Sequence, residues 1–284
     1  MKNSAILLIS CPDRKGVVAA IADFVFLHNG NILHADEHAD EESNLFLMRV
    51  ELDPADFDID LADFQKHFVP LAKQFEMKWS LAQSSYRTRM VILVSKYDHC
   101  LVDLLYRHHS GELVCDIPLI ISNHPDNQPI ADFYQIPYTI VPVTKDNKLE
   151  AERKILALLA QCSPDFLVLA RYMQILSDEF VNQYPNRIIN IHHSFLPAFV
   201  GPKPYHQAYL RGVKLIGATS HYVTEVLDDG PIIDQDVIRI SHRDSLDNLL
   251  RKGRDLEKVV LSRAVRWHIE SRILLYGNKT VVFD

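Results

Sequence analysis

Cysteine is scarce in this sequence, and its scarcity narrows the class of protein. The four cysteines among 284 residues are Cys11, Cys100, Cys115 and Cys162. None of them belongs to a C-x-x-C pair, which argues against a zinc knuckle and against a disulfide framework. Scattered single cysteines are typical of a reduced compartment, so we expect a cytoplasmic protein.

Basic clusters and long apolar runs are missing as well. The formal net charge is −7, and no stretch is dense in lysine and arginine, so the sequence does not predict a nucleic-acid partner. The apolar run near the amino terminus breaks at Pro12 and has no small-residue cleavage site, which favours a first strand over a membrane segment or a signal peptide.

What is present is ordinary for a globular protein. About half of the residues (48%) are hydrophobic and about a quarter (24%) are charged, a composition that is neither disordered nor fibrous. The length is roughly twice that of a typical domain, so two domains or one large domain are expected.

The first eighty or so residues alternate between strand and helix patterns. "SAILLISC" predicts a strand, and "DRKGVVAAIADFVFLHNG" has apolar residues at helical spacing. A hairpin with the acidic turn "DEES", a second helix and a last strand follow. The order βαββαβ predicts a ferredoxin-like domain over residues 1–84.

The pattern changes after this point, and residues 85–284 are predicted to form a second α/β domain. Short, nearly continuous apolar runs such as "MVILVSK", "DFLVLA" and "RIINI" suit strands that are buried on both faces, and helical patterns separate them. This indicates a doubly wound, mostly parallel sheet. "KLIGATSHYV" and "PIIDQDVIRI" predict a hairpin, and a long helix is expected from about Asp244 to Leu275.

Polar residues are concentrated at the end of one predicted strand. Asn190 and His192 close the run "RIINIH", and their spacing of two places both side chains on one face, with His193 on the other. Ligands of doubly wound sheets bind at this carboxyl end of the strands. Farther along, "SHYVTEVLDDGPIIDQ" contains the adjacent acids Asp228 and Asp229 in a Gly-Pro turn.

An asparagine, a histidine and an aspartate together suit acyl chemistry without a covalent intermediate. The amide and the imidazole can donate to an oxyanion, and the carboxylate can support the imidazole or take a proton. Taken singly, His192 is more often a satisfied loop or core residue, and Asp228 a turn former. A zinc site is disfavoured because adjacent strand histidines diverge and no H-E-x-x-H spacing occurs.

The combined motif resembles the formyltransferase family that uses 10-formyltetrahydrofolate. Its elements are Asn190-x-His192, the segment "SFLPAFVG", and "HYVTEVLDDGPII". In that family an Asn-x-His pair and an aspartate seven residues after a second histidine form the catalytic set. The resemblance therefore implies that Asn190, His192 and Asp228 are catalytic, with Asp228 chosen over Asp229.

The same resemblance implies a folate-binding segment. "LARYMQIL" is similar to the segment that holds folate partly through backbone groups, although the family often has arginine where this chain has Gln174. The implied substrate-binding residues are Tyr172, Met173, Gln174, Ile175, Leu176, His221, Thr224 and Glu225. No metal or cofactor is implied, since the folate is the substrate.

The amino-terminal pattern resembles an ACT domain, a module that commonly pairs with copies of itself and often binds an amino acid. This implies a homo-oligomer and an effector site formed by Asp13, Gly16, Gly30 and Asn31. A purely architectural dimerisation role is the alternative.

The order of ACT and formyltransferase domains resembles the deformylase branch of the family, in which water releases formate and tetrahydrofolate. That activity would supply formate for purine synthesis and balance one-carbon folate pools. The stretch "VSKYDHCLVDLL" favours this branch, because it has no glycine-rich phosphate loop and Asp98 would repel a phosphate. Formyl transfer to an amine such as glycinamide ribonucleotide, and a non-catalytic folate or amino-acid sensor, are the alternatives.

Overall fold

The computed structural model of the protein describes residues 4–61, 63–198 and 204–283. The last part of the motif segment "SFLPAFVG", residues 199–201, lies outside these ranges, as do the outermost ends of both predicted domains. The chain divides into two compact units, Met1–Arg87 with Glu270–Asp284 and Thr88–Ile269. They are called the first and the second unit below.

The first unit begins with the predicted βαββαβ order. Its elements are β1 (Ala5–Pro12), α1 (Val17–Leu27), β2 (Asn31–Asp40), β3 (Leu45–Asp53), α2 (Phe64–Gln74) and β4 (Lys78–Gln83). The four strands form one antiparallel sheet in the order β2-β3-β1-β4. Buried residues of β1 and β3 pack with apolar side chains of both helices, so one face of the sheet is covered by α1 and α2.

The second unit contains most of the helices and a seven-stranded sheet. Its elements are β5 (Thr88–Val94), α3 (His99–His109), β6 (Cys115–Ser122), α4 (Gln128–Phe133), β7 (Tyr138–Ile140), α5 (Lys148–Cys162), β8 (Phe166–Ala170), α6 (Asp178–Gln183), β9 (Ile188–His192), α7 (Pro204–Arg211), β10 (Leu215–Tyr222), β11 (Ile232–Arg239) and α8 (Leu246–Ile269).

The strand order of this sheet, β11-β10-β9-β8-β5-β6-β7, defines where a ligand site is expected. β5 pairs in parallel with β6 on one side and with β8 on the other, so the chain winds in opposite directions from β5. This is the topological switch point, and the crevice beyond its carboxyl ends is the usual ligand site. β10 pairs antiparallel with both β11, in the predicted hairpin, and β9. The other strand pairs of this sheet are parallel, so the sheet is mostly parallel.

The carboxyl-terminal segment differs from the sequence-based prediction in two ways. The long helix α8 ends at Ile269, and the segment predicted to continue it forms a hairpin of β12 (Ile273–Tyr276) and β13 (Lys279–Val282). The predicted second domain also extended to residue 284, whereas Glu270–Asp284 group with the first unit. The reason is packing, because Leu274 and Phe283 are buried against Leu47 of β3.

None of the helices among the described residues is both long enough and apolar enough to cross a bilayer.

Candidate active site

Strand β9 and its neighbour β10 bring the first two polar side chains together. The antiparallel register places His221 of β10 directly opposite Asn190 of β9, and paired residues of neighbouring strands point to the same face. Asn190 Nδ2 consequently lies 3.2 Å from His221 Nε2. His192, two residues farther along β9, shares the face of Asn190, as the sequence predicted.

The partners of His221 assign its tautomer. His221 Nδ1 lies 3.0 Å from the carbonyl oxygen of Tyr222, so Nδ1 carries the proton and donates to it. Burial lowers the pKa of His221, which keeps the ring neutral. His221 Nε2 therefore accepts a hydrogen bond from the Asn190 amide, and this fixes the direction in which that amide points.

The turn after β10 brings Asp228 to the same place. Asp228 has φ of 57°, a left-handed conformation that aspartate adopts more readily than most residues. Gly230 allows the turn to fold back closely, because a Cβ atom there would lie 1.8 Å from the carbonyl oxygen of Tyr222. Asp228 Oδ1 lies 3.2 Å from His192 Nδ1 and 3.8 Å from His221 Nε2.

These neighbours keep Asp228 ionised. Burial alone would raise the pKa of its carboxyl, but the hydrogen bond from His192 and the nearby histidines lower the pKa below its usual value. A carboxylate only accepts hydrogen bonds, so His192 Nδ1–H is the donor to Asp228. The other ring nitrogen, His192 Nε2, is buried without a hydrogen-bond partner among the described residues. It is therefore the nitrogen of this ring that can contact a substrate.

The predicted substrate residues line one cavity of about 560 Å³ together with the three predicted catalytic residues. This holds for the segment Tyr172–Leu176 and for His221, Thr224 and Glu225. Met173 and Ile175 are half exposed or more at the rim, with 50% and 60% of their surface accessible. The cavity therefore offers an apolar rim and a polar floor, as is common for small-molecule sites.

The segment Tyr172–Leu176 is held at both of its ends. Ser95, just after β5, accepts a hydrogen bond from the Met173 N–H at 3.0 Å and donates to Asn123 Oδ1 at 2.7 Å. At the other end, Ser177 caps α6, and its hydroxyl and amide both donate to Glu152. The Met173 amide is thus used to fix the segment.

Several residues of the same cavity were missed by the sequence-based prediction. They are Tyr97, His99, Arg171, His193, Tyr205, Arg254 and Glu257. The prediction that His193 faces away was wrong, because β9 ends at His192 and strand alternation does not continue beyond it. A signal existed for Arg171, which follows the carboxyl end of β8, and for Glu257, an acid on the apolar face of α8.

Glu257 is the centre of a buried polar cluster. Its carboxylate accepts a hydrogen bond from Tyr205 Oη at 2.7 Å, and it lies 2.8 Å from His99 Nε2 and 3.4 Å from Arg171 Nε. Burial would raise the pKa of Glu257, but these partners lower it. Gly253, one turn earlier on α8, lies under the Tyr205 ring, where a Cβ atom would come within 2.2 Å of it.

The group His99, Cys100 and Glu257 is the one set of metal-ligating side chains found close together in the described part of the chain. Its chemistry does not suit a cation. Burial raises the pKa of the Cys100 thiol well above its usual value, whereas metal ligation requires the thiolate. The Glu257 oxygens are already engaged by Arg171 and Tyr205, so the group serves as a structural hydrogen-bond cluster.

The predicted effector residues all belong to the first unit. Gly16 precedes α1 with φ of 93°, a conformation that favours glycine, and Asp13 and Gly16 are both exposed. Gly30 and Asn31 connect α1 to β2, where the Gly30 amide bonds the Val25 carbonyl at 2.8 Å. Asp13 and Gly16 thus lie before the start of α1, and Gly30 and Asn31 lie after its end.

Family models match both units of the chain. The model described as formyl transferase matches residues 88–265, and the model described as ACT domain matches residues 5–68. Fold and site together thus define a formyl transferase domain that follows an ACT domain.

Full-length relatives narrow this class. The chain is 56% identical to a formyltetrahydrofolate deformylase of Synechocystis sp., over 100% of both chains. The structure superposes with TM-score 0.98 on a formyltetrahydrofolate deformylase from Pseudomonas syringae pv. tomato, at 51% identity over 100% of this chain and 95% of that one. The chain belongs to the formyltetrahydrofolate deformylase family.

A more distant similarity covers the second unit's fold. A glycinamide ribonucleotide transformylase from Symbiobacterium toebii is 26% identical, with TM-score 0.66, over 72% of this chain and 98% of that one. The fold is thus shared between deformylases and transferases, and the choice of acceptor depends on local features of the site.

Proposed function

We propose that this protein hydrolyses 10-formyltetrahydrofolate to formate and tetrahydrofolate. The single observation that carries the proposal is the bonded set of Asn190, His221, Asp228 and His192, which leaves His192 Nε2 open in the cavity. Full-length similarity to deformylases supports water as the acceptor.

The geometry supports a direct attack of water on the formyl carbon. The substrate lies along Tyr172–Leu176, and its formyl group is near Asn190 and His192. The Asn190 amide and the protonated form of His192, through Nε2–H, donate hydrogen bonds to the oxyanion that forms as water adds. Asp228 stabilises the charge on His192 and accepts a proton from the water, within a site that holds both reactants in place.

Collapse of this intermediate completes the reaction. The bond between the formyl carbon and N10 breaks, N10 takes up a proton through His192, and formate leaves with the remaining proton lost to solvent. No electrons are exchanged, and the proposal uses no metal or cofactor.

The β5–α3 connection favours water over a phosphorylated amine. β5 ends at Val94 and α3 begins at His99, with Asp98 as its cap and no glycine between them. Tyr97 and His99 turn their side chains into the cavity here. An anion at this helix start would lie beside aromatic rings and the acid Asp98, which repels it. A sensor without activity is disfavoured because the catalytic set is intact.

The test is a formate assay with purified protein and 10-formyltetrahydrofolate, with and without added glycinamide ribonucleotide. We expect formate at a rate that does not change with the ribonucleotide. Negligible formate without it, together with a formylated ribonucleotide when it is present, would make the protein a transferase.

The cellular setting is part of the proposal. Formate released here would supply purine synthesis and balance one-carbon folate pools. The proposal of a cytoplasmic location rests on the four cysteines, none of which forms a disulfide in the described part of the chain.

The ACT domain supports regulation through the first unit. We infer that an amino acid binds near Asp13, Gly16, Gly30 and Asn31 of paired copies, so that the chain acts as a homo-oligomer. The match to the ACT family and the exposed loop before α1 support this inference. Such an effector changes turnover only if it binds active and inactive arrangements differently. Calorimetry across the common amino acids tests it, and no binding would leave the architectural role.

A further inference from the structure

Arg171 occupies a backbone position that favours glycine. It has φ of 61°, in the left-handed region that arginine rarely adopts, directly after β8. Its side chain is nevertheless buried, with 9% of its surface exposed. Strain of this kind persists when the side chain is needed where the backbone holds it.

Two neighbours fix the guanidinium of Arg171. Its Nε lies 3.4 Å from Glu257 Oε2, and its Cζ lies 5.3 Å from the centre of the Tyr97 ring. Glu257 is itself held by Tyr205 and His99, and only 1% of its side chain is exposed. The arginine is therefore a fixed positive charge in the cavity wall.

This charge lies close to the catalytic residues. The rings of His192 and His193 are 5.3 Å apart, and those of His193 and Tyr205 are 6.0 Å apart. Tyr205 in turn bonds Glu257, the partner of Arg171. Burial, followed by the charge of Arg171, lowers the pKa of His193 to about 3, and at this ring the effect of Arg171 exceeds the opposing effect of Glu257, so His193 stays neutral.

The cavity wall thus has two parts of different chemistry. The segments Tyr172–Leu176 and Val223–Asp228 carry the residues assigned to folate, whereas Tyr97, Arg171 and Tyr205 contribute aromatic and positively charged surface. Asp228, in the first part, contacts His192, and the His193 ring, which lies near Tyr205 of the second part, contacts it as well. A formyl group at His192 would therefore lie between the two parts. Both parts border the space in which a nucleophile would meet the formyl group.

We propose that Arg171, fixed by Glu257 and Tyr97, is a specificity-determining residue that keeps amines away from the formyl carbon and leaves water as the nucleophile. The proposal rests on the hydrolytic function proposed above. A protonated amine is repelled by the fixed cation, and a neutral amine lacks the space that the guanidinium fills. Water is small and uncharged and reaches the same carbon. The selectivity for water over amines then depends on repulsion of the competing amine by Arg171.

The test compares product ratios in variants of the full-length protein supplied with 10-formyltetrahydrofolate and glycinamide. In transfer, the amine nitrogen attacks the formyl carbon, the bond to N10 breaks and an amine proton moves to N10, giving formylglycinamide. Formate and formylglycinamide are measured together by mass spectrometry. We expect the unsubstituted protein to give formate with no more than a trace of formylglycinamide.

Arg171→Gly removes the cation and relieves the backbone strain, so it should raise the fraction of formylglycinamide at least tenfold. Arg171→Lys keeps the charge and should stay at the unsubstituted ratio. Arg187→Ala is the matched control, because this exposed arginine also lies over a tyrosine ring, that of Tyr184 at 5.1 Å, but does not line the cavity. It too should keep the unsubstituted ratio.

Two results would overturn the proposal. One is an Arg171→Gly protein that still makes formate and no more amide than the unsubstituted protein. The other is loss of formate without gain of amide, which would place Arg171 in the hydrolysis itself. If Arg171→Gly does not fold, Arg171→Gln replaces it, since glutamine removes the charge and part of the side-chain volume while it keeps a polar group near Glu257; an unchanged ratio there also overturns the proposal. Absence of formate from the unsubstituted protein would instead overturn the hydrolytic function.

Discussion

The two units bury polar groups for different purposes. In the first unit, Asp40 accepts hydrogen bonds from the amides of Glu42 and Ser43 in the β2–β3 turn, and Arg49 bonds Glu51 and the Ser271 carbonyl. Each of these buried groups is satisfied by the structure that it stabilises. Their role is to fix a turn and to attach the carboxyl-terminal hairpin.

In the second unit the buried polar groups meet in a cavity. His192, His221, Arg171 and Glu257 are all at least 92% buried, and all line it. Burying a polar group without full compensation destabilises a fold, and His192 Nε2 has no partner in the described part of the chain. In the cavity, a buried nitrogen is left open to a substrate, whereas the buried groups named in the first unit are satisfied by the structure that they stabilise.

The largest effect is expected at the unsatisfied set. Asp228→Asn and His192→Ala should each lower turnover by about 10²- to 10³-fold, the usual loss for one oxyanion-stabilising group, while the fold remains intact. Steady-state formate assays and circular dichroism check both statements. Asp229→Asn is the matched control and should be milder. A dead Asp229→Asn protein with an active Asp228→Asn protein would contradict the assignment.

The second effect compares a fully buried carboxylate of the second unit with a partly exposed one of the first unit. Glu257→Gln should reduce the free energy of unfolding by about 3 kcal/mol, because it leaves the Arg171 charge buried without its counter-ion. Glu51→Gln should reduce it by less than about 1 kcal/mol, because 29% of the Glu51 side chain is exposed. Denaturant unfolding with a probe in each unit measures both. Equal losses would remove the distinction between the units.

The third effect is a pH dependence of stability. His193 has a folded pKa of about 3, below the ordinary 6.5, so the folded ring is neutral while the unfolded ring takes up a proton below pH 6.5. Its contribution to the free energy of unfolding is present at neutral pH and falls on acidification, by at most about 1.4 kcal/mol per pH unit, until pH 3.

His193→Asn should flatten this decline between pH 6 and pH 4, as measured by urea unfolding at a series of pH values. His38→Asn, at an exposed position of β2, is the matched control. An unchanged slope in the His193 variant would show that its burial does not contribute.

The smallest effect concerns the first unit alone. If an amino acid binds there, Asp13→Ala should weaken its binding about tenfold or more, because a carboxylate is the natural partner of an amino group. Titration calorimetry of the full-length protein measures the affinity. Asp23→Ala, an exposed acid within α1, is the control. Equal affinities in the two variants would move the effector site away from the loop before α1.

Regular patterns made much of the fold predictable. The apolar run of β1, the helical spacing in α1 and the βαββαβ order predicted the ferredoxin-like domain, and the continuous apolar run of β5 predicted a strand buried on both faces. The end of α8 was not predictable in this way. "SRILLYGNKTVVF" has apolar residues that also fit a helix, and the hairpin forms because Leu274 and Phe283 pack on β3, more than two hundred residues earlier.

The residues of the candidate site also differ in whether the sequence alone predicts them. Asn190, His192 and Asp228 were accessible from the sequence, because two of them share a strand face and the third lies in a recognisable turn. Glu257 and Arg171 were missed, because an acid on the apolar face of α8 and a residue after β8 do not show by themselves that they pair with a partner so distant in the sequence. Their roles follow from the contact between them, and only folding creates it.

The sequence by itself determined the two α/β units, the strand that carries Asn190 and His192, and the turn that carries Asp228, since each depends on the spacing of neighbouring residues. Tertiary structure decided which nitrogen of His192 stays open, that His193 faces the cavity, and that Arg171 lies against Glu257. The physical reason is range, because periodicity and turn chemistry act over a few residues, whereas burial and charge pairing join groups that are distant along the chain.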